Sequence, residues 1–122
     1  DKFVYRKMKI RSNGFKRTKE GIQKTFHWKD ALKKLEANPF CYLTGEPLNL
    51  DNFSNVCFDH IVPTFIGGDN SLENLGFCTP EVNSAKHSLS NEDFFKLCKK
   101  VLEYNGYIVT DKLVQATGVE PA

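Results

Sequence analysis

Two adjacent residues, Asp59 and His60, interrupt an apolar run, Val56-Cys57-Phe58-Asp59-His60-Ile61-Val62, that otherwise reads as a β-strand. Ionisable side chains are disfavoured inside a strand, so the pair points to chemistry rather than packing. Further along, Asn83, Lys86 and His87 fall three and four residues apart and share one face of a helix. A neutral imidazole, with an ordinary pKa near about 6.5, can take a proton from water. Asp59 and Asn83 offer carboxylate and carboxamide oxygens that suit a hard divalent cation such as Mg2+ or Mn2+. Hydrolysis of a phosphodiester needs both parts: a base for the attacking water and a positive charge for the leaving oxygen. Neighbouring side chains on a strand point to opposite faces, so either the strand is distorted here or His60 faces substrate while Asp59 reaches a cation at the rim.

The segments between these residues set how they meet. A Gly-rich turn at Gly67-Gly68-Asp69-Asn70 follows the strand, then Ser71-Leu72-Glu73-Asn74-Leu75. A second apolar run, Leu75 to Cys78, leads into Thr79-Pro80-Glu81. Thr at an N-cap, Pro at the first helical position and an acid beside the positive helix end predict a helix there. Strand, loop, strand, helix, with polar groups from the first strand and the helix turned inward, is a compact metal-site architecture.

These residues resemble the ββα-metal (His-Me finger) core of HNH endonucleases. Asp59-His60-Ile61-Val62-Pro63 is similar to the family's Asp-His-Ile-x-Pro element, Gly67-Gly68 with Ser71 to Leu75 to its second element, and Asn83-x-x-Lys86 to its closing Asn-x-x-Lys. The likeness covers about thirty residues closely, and residues 40–106 more loosely. It implies an α+β fold built on a ββα-metal core, with flanking helices. It also implies a metal-dependent DNA endonuclease, of restriction or phage and homing type, leaving 5′-phosphate and 3′-hydroxyl ends. By the same resemblance His60 is the general base, Asp59 and Asn83 are metal ligands, and Asn74 holds the inter-strand loop and orients His60. Lys86 would contact a phosphate. His87 is left open as a further ligand, a phosphate contact or an exposed residue. A double-strand break from one site per chain calls for two chains, so a homodimer is expected. The competing reading is a DNA-binding module with this fold that does not cut.

Across the whole chain, 122 residues suit one domain, with 40% hydrophobic and 26% charged residues. No apolar run approaches the roughly 18 residues a membrane helix needs, and no signal peptide is visible. Net charge is +2, but residues 1–24 carry nine Lys or Arg against Asp1 and Glu20, leaving the remainder acidic. That asymmetry predicts a polyanionic partner, with Arg6, Lys7, Lys9, Arg11, Lys16 and Arg17 as DNA contacts. Cys41, Cys57, Cys78 and Cys98 form no Cys-x-x-Cys pair, and Thr44 stands where the family often has a second Cys. Free thiols in a reducing, cytoplasmic setting are therefore expected, and a structural zinc is not.

The remaining elements look like scaffold. Lys2 to Ile10 alternates apolar and basic residues, and Ser12-Asn13-Gly14 is a turn signal, which predicts a basic hairpin or arm over 1–24. Thr25 to Ala37 predicts a helix with Trp28, Ala31, Leu32 and Leu35 on its apolar stripe, ended by Asn38-Pro39; His27 reads as a surface residue. Residues 40–48 read as a short strand and turn. Ser90 to Asp93 starts a packing helix bearing Phe94, Phe95, Leu97, Cys98, Val101 and Leu102, closed by Asn105-Gly106. Residues 107–110 suggest a short strand, and 117–122 a frayed tail.

Overall fold

A computed structural model describes residues 2–111. It is α+β, with four helices and two small two-stranded sheets. Contacts cluster in two compact units, Asp1–Asn91 and Glu92–Ala122. Among the described residues no helix is long and apolar enough to cross a membrane.

The first unit opens with helix α1 (Lys2–Phe15), where a basic hairpin or arm is expected. Val4 and Met8 fit either periodicity, because they are both four apart and both even-numbered. The residues that decide are Ser12 and Phe15: with Met8 they are buried at helical spacing, whereas Ile10, the third member of the alternating set, is 60% exposed. Asn13 and Gly14 lie in the last turn of this helix. The hairpin shrinks to β1 (Arg17–Thr18) and β2 (Gly21–Ile22), paired antiparallel.

Helix α2 (Trp28–Ala37) starts three residues later than the sequence suggests, because His27 is its N-cap and accepts a hydrogen bond from Lys29 N through Nδ1. Ala31, Leu32 and Leu35 are buried on the expected stripe, each Leu contributing about 1.5–3 kcal/mol of transfer free energy. Trp28 is half-buried, its ring 5.4 Å from that of Tyr5. Residues 40–48 form no strand, only a single bridge between Phe40 and Pro47 around a turn.

Strands β3 (Cys57–His60) and β4 (Leu75–Cys78) pair antiparallel, with Asp59 opposite Gly76 and His60 opposite Leu75. Helix α3 (Pro80–Lys86) follows directly, capped by Thr79, whose hydroxyl accepts from Val82 N. Helices α1 and α3 both contact β3, and α1 also packs against α2. Met8, Phe15, Leu35, Leu75, Phe77 and Val82 form much of the core between them. Lys34 of α2 donates to the carbonyls of Leu72 (2.6 Å) and Leu75 (2.7 Å), which fixes the chain as it enters β4.

In the second unit, helix α4 (Asn91–Tyr104) ends as expected at Gly106, in left-handed backbone, with Tyr107 N bonded to Leu102 O. Its predicted packing stripe is mostly exposed: Phe94 is buried, but Phe95, Leu97, Val101 and Leu102 are 39–54% exposed. Residues 107–110 form no strand. The tail expected at 117–122 lies outside the described residues.

Candidate active site

The β3–β4 pairing sends Asp59 and His60 to opposite faces, as the strand period demands. Asp59 turns inward, 8% exposed. Directly across from it, Gly76 leaves a gap that Tyr42 fills; a Cβ at Gly76 would lie 2.6 Å from the Tyr42 ring. The Tyr42 hydroxyl donates to Asp59 Oδ2. Burial, together with that acceptor and its charge, holds the Tyr42 phenol well above its ordinary range.

Lys86, fully buried at the end of α3, reaches the same oxygen at 2.8 Å. Its two other short contacts are the carbonyls of His60 (3.1 Å) and Ile61 (3.4 Å), so all three ammonium donors have acceptors. The phosphate contact expected of Lys86 is therefore not made from this position. The side chain instead ties α3 to β3 through Asp59. No hydrogen bond forms at Asp59 Oδ1 among the described residues.

His60 faces the other way, into an open cleft of about 460 Å3 that Arg11, Phe15 and Asn83 also line. Its ring stacks on Phe15 at 3.8 Å between centroids, with 11° between planes. His60 Nε2 lies 2.7 Å from Asn70 Oδ1. The Asn70 amide nitrogen faces two acceptors, Lys16 O (3.5 Å) and Gln23 Oε1 (3.4 Å), which leaves Oδ1 for the imidazole. A carboxamide oxygen only accepts, so a neutral ring carries its proton on Nε2 and its lone pair on Nδ1. Asn70 itself is buried, and its carbonyl accepts from the Thr25 hydroxyl.

Asn74, expected to orient His60, does not touch the ring. It holds the loop: Oδ1 accepts from Val62 N (2.8 Å), and Nδ2 donates to Val62 O (3.0 Å) and Asp69 O (2.8 Å). Gly68 lets that loop close, since a Cβ there would come 1.7 Å from Val62 O. The orienting bond to His60 comes from Asn70 instead. Asn83 makes no side-chain hydrogen bond among the described residues. His87 ends α3 in left-handed backbone, exposed, with Nδ1 3.1 Å from Ser88 Oγ, and does not line the His60 cleft.

The basic residues of the N-terminal segment divide. Arg11 is committed to structure, donating to Val56 O at 2.8 Å over the Phe53 ring. Lys16 is 4% exposed. Arg6, Lys9 and Arg17 are exposed, and Lys7 is half-buried over Phe3. No spacing or motif singles out Tyr42, Asn70 or Phe15: a phenylalanine ends a basic segment, an asparagine sits in a turn, and a tyrosine opens one. Among the described residues no three His, Cys, Asp or Glu side chains converge on one point.

No curated protein and no solved structure gives a match to the chain. Residues 41–90, which contain Tyr42, Asp59, His60, Asn70, Asn74, Asn83 and Lys86, match the model of the HNH endonuclease family, and this segment is similar to that family.

Proposed function

We propose that this chain is a metal-dependent nuclease that hydrolyses DNA phosphodiester bonds, with His60 as general base. The observation that carries the reading is the His60 imidazole: stacked on Phe15, tethered through Nε2, and open to a cleft shared with Asn83. Donation from Nε2 to Asn70 fixes the tautomer, so Nδ1 is the atom that takes a proton from water. A fixed ring loses no orientation at the moment of transfer, which lowers the barrier without adding a contact. Asn74 and Gly68 hold the loop on which Asn70 stands.

The donor set fits a hard divalent cation, Mg2+ or Mn2+. Asp59 is oriented through Oδ2 by Tyr42 and Lys86, leaving Oδ1 without a hydrogen bond, and the Asn83 carboxamide is likewise unengaged. Held by Asp59 and Asn83, such an ion would stabilise the charge that develops on the leaving oxygen. Lys86 bears on this chemistry indirectly. It neutralises part of the Asp59 charge and fixes the spacing of α3 from β3, which makes it a positioning residue. The four cysteines, all unpaired, suit a reducing compartment.

One observation favours the second reading, a DNA-binding module that does not cut: the buried carboxylate of Asp59 already has an ammonium and a phenol on one oxygen. Supercoiled plasmid incubated with Mg2+ and either the native protein or His60→Ala separates the two. Relaxation by the native protein and its loss in the variant are expected. Equal relaxation by both removes His60 as the base, and no relaxation by either under Mg2+ or Mn2+ leaves the non-cutting module.

A further inference from the structure

A second cleft, of about 520 Å3, lies between α1 and the segment that leads into α2. Lys9, Lys16, Lys24, Asn13, His27 and Trp28 line it, with no carboxylate among the lining residues. None of the three lysines forms an ion pair among the described residues. Lys16 is the unusual one. Its ammonium is buried, donates to Phe26 O at 2.6 Å and sits 4.7 Å above the Phe26 ring. Burial, and then the charge of Lys24, push its pKa below the ordinary lysine value. A buried cation with a second cation nearby and no counter-ion is costly unless an anion completes the group.

Two further donors face the same space. His27 lines the cleft, and because its Nδ1 accepts from Lys29 N, a neutral ring carries its proton on Nε2. Helix α2 also begins at this edge, so the positive end of its dipole adds to the lysines.

We infer that this cleft seats a backbone phosphate of the DNA strand, at a position removed from the scissile bond. Lys9, Lys16 and Lys24 neutralise the phosphate, and Trp28 offers an aromatic surface to the adjoining sugar or base. The two clefts share a wall: Phe15 backs His60, and Lys16, the next residue, lines the phosphate cleft while its carbonyl accepts from Asn70. A strand held here is thereby registered against the base. The inference rests on the nuclease reading only for the role of that register; the anion site stands on its own residues.

The test uses full-length protein carrying His60→Ala, a labelled short DNA duplex and fluorescence anisotropy over a range of salt. Lys9 and Lys24 are exposed, so Lys9→Glu and Lys24→Glu leave the fold in place. Each is expected to weaken binding and to lower the salt slope by about one, and the double variant by about two. Lys33→Glu, which changes net charge equally on an exposed position outside the cleft, is expected to have the smaller effect. Equal weakening by Lys33→Glu and Lys24→Glu overturns the site, because the effect is then one of net charge. Inorganic phosphate that protects Lys24 from acylation as well as the duplex does also overturns it, in favour of a free-anion site. With His60 restored, Lys24→Glu is expected to raise KM. Absence of cleavage by the native protein under Mg2+ or Mn2+ sinks the nuclease reading alone, and affinity that survives Lys9→Glu with Lys24→Glu sinks the cleft alone.

Discussion

Replacing Lys86 by Met tests the account of the site's interior most directly. Methionine keeps most of the aliphatic volume of a side chain that is 0% exposed, but removes the charge. At 2.8 Å, and with an effective dielectric of about 20, the Lys86–Asp59 attraction is about 6 kcal/mol before desolvation is counted. Desolvation of both ions offsets most of that. Removing one partner leaves the other uncompensated, and the expected loss is about 3–5 kcal/mol. For a chain of this size that corresponds to a fall in Tm of roughly 12–20 °C. Urea and thermal unfolding followed by circular dichroism read both quantities. Asp59→Asn in the same background keeps an acceptor for Tyr42 and removes the stranded charge, so the double variant is expected to recover more than half of the loss. A Lys86→Met protein within about 1 kcal/mol of the native one, or a double variant less stable than the single, refutes the coupling; an exposed pair would give such a value.

Three other outcomes follow from named groups. Ser12 Oγ is buried without a hydrogen-bond partner, so Ser12→Ala is expected to stabilise the protein by about 1 kcal/mol, measured by urea unfolding. Asn70→Ala frees His60 Nε2 and is expected to lower cleavage by about 10–100-fold with duplex affinity unchanged; an affinity loss of the same size would make Asn70 a binding residue instead. Burial, and then the charge of Asp59, push the Cys78 thiol up to about 12 from 9.0. The folded state therefore favours the neutral thiol, so that contribution to stability is full below about pH 9 and is lost as pH rises toward about 12. Alkylation at pH 8 read by mass spectrometry is expected to modify the exposed Cys98 first, and Cys78 only after denaturation.

The residues legible in the sequence are those whose partners are close in sequence. Thr79 and Pro80 announce α3, Gly67-Gly68 announces the turn, and Asp59-His60 stands out because a strand interior tolerates so little charge. What could not be read is carried by long-range contacts, which leave no spacing behind. Phe15 meets His60 across 45 positions, and Lys16 and Gln23 reach Asn70 from the same distant segment. Lys86 shows the limit in another way. Its position in Asn-x-x-Lys was visible, but whether a lysine on a short helix faces solvent or the interior depends on what packs against it. Helix α1 fails for a simpler reason: Val4 and Met8 satisfy both periods, and burial, not pattern, chose between them.

The way His60 is held limits how far the matched segment 41–90 can serve as a portable cassette. The family match begins at Cys41, yet the surface under the imidazole belongs to residue 15, and the amide that fixes its tautomer hangs from residues 16 and 23. A graft or truncation cut at position 41 would transplant every polar group of the motif and leave the imidazole without its backing.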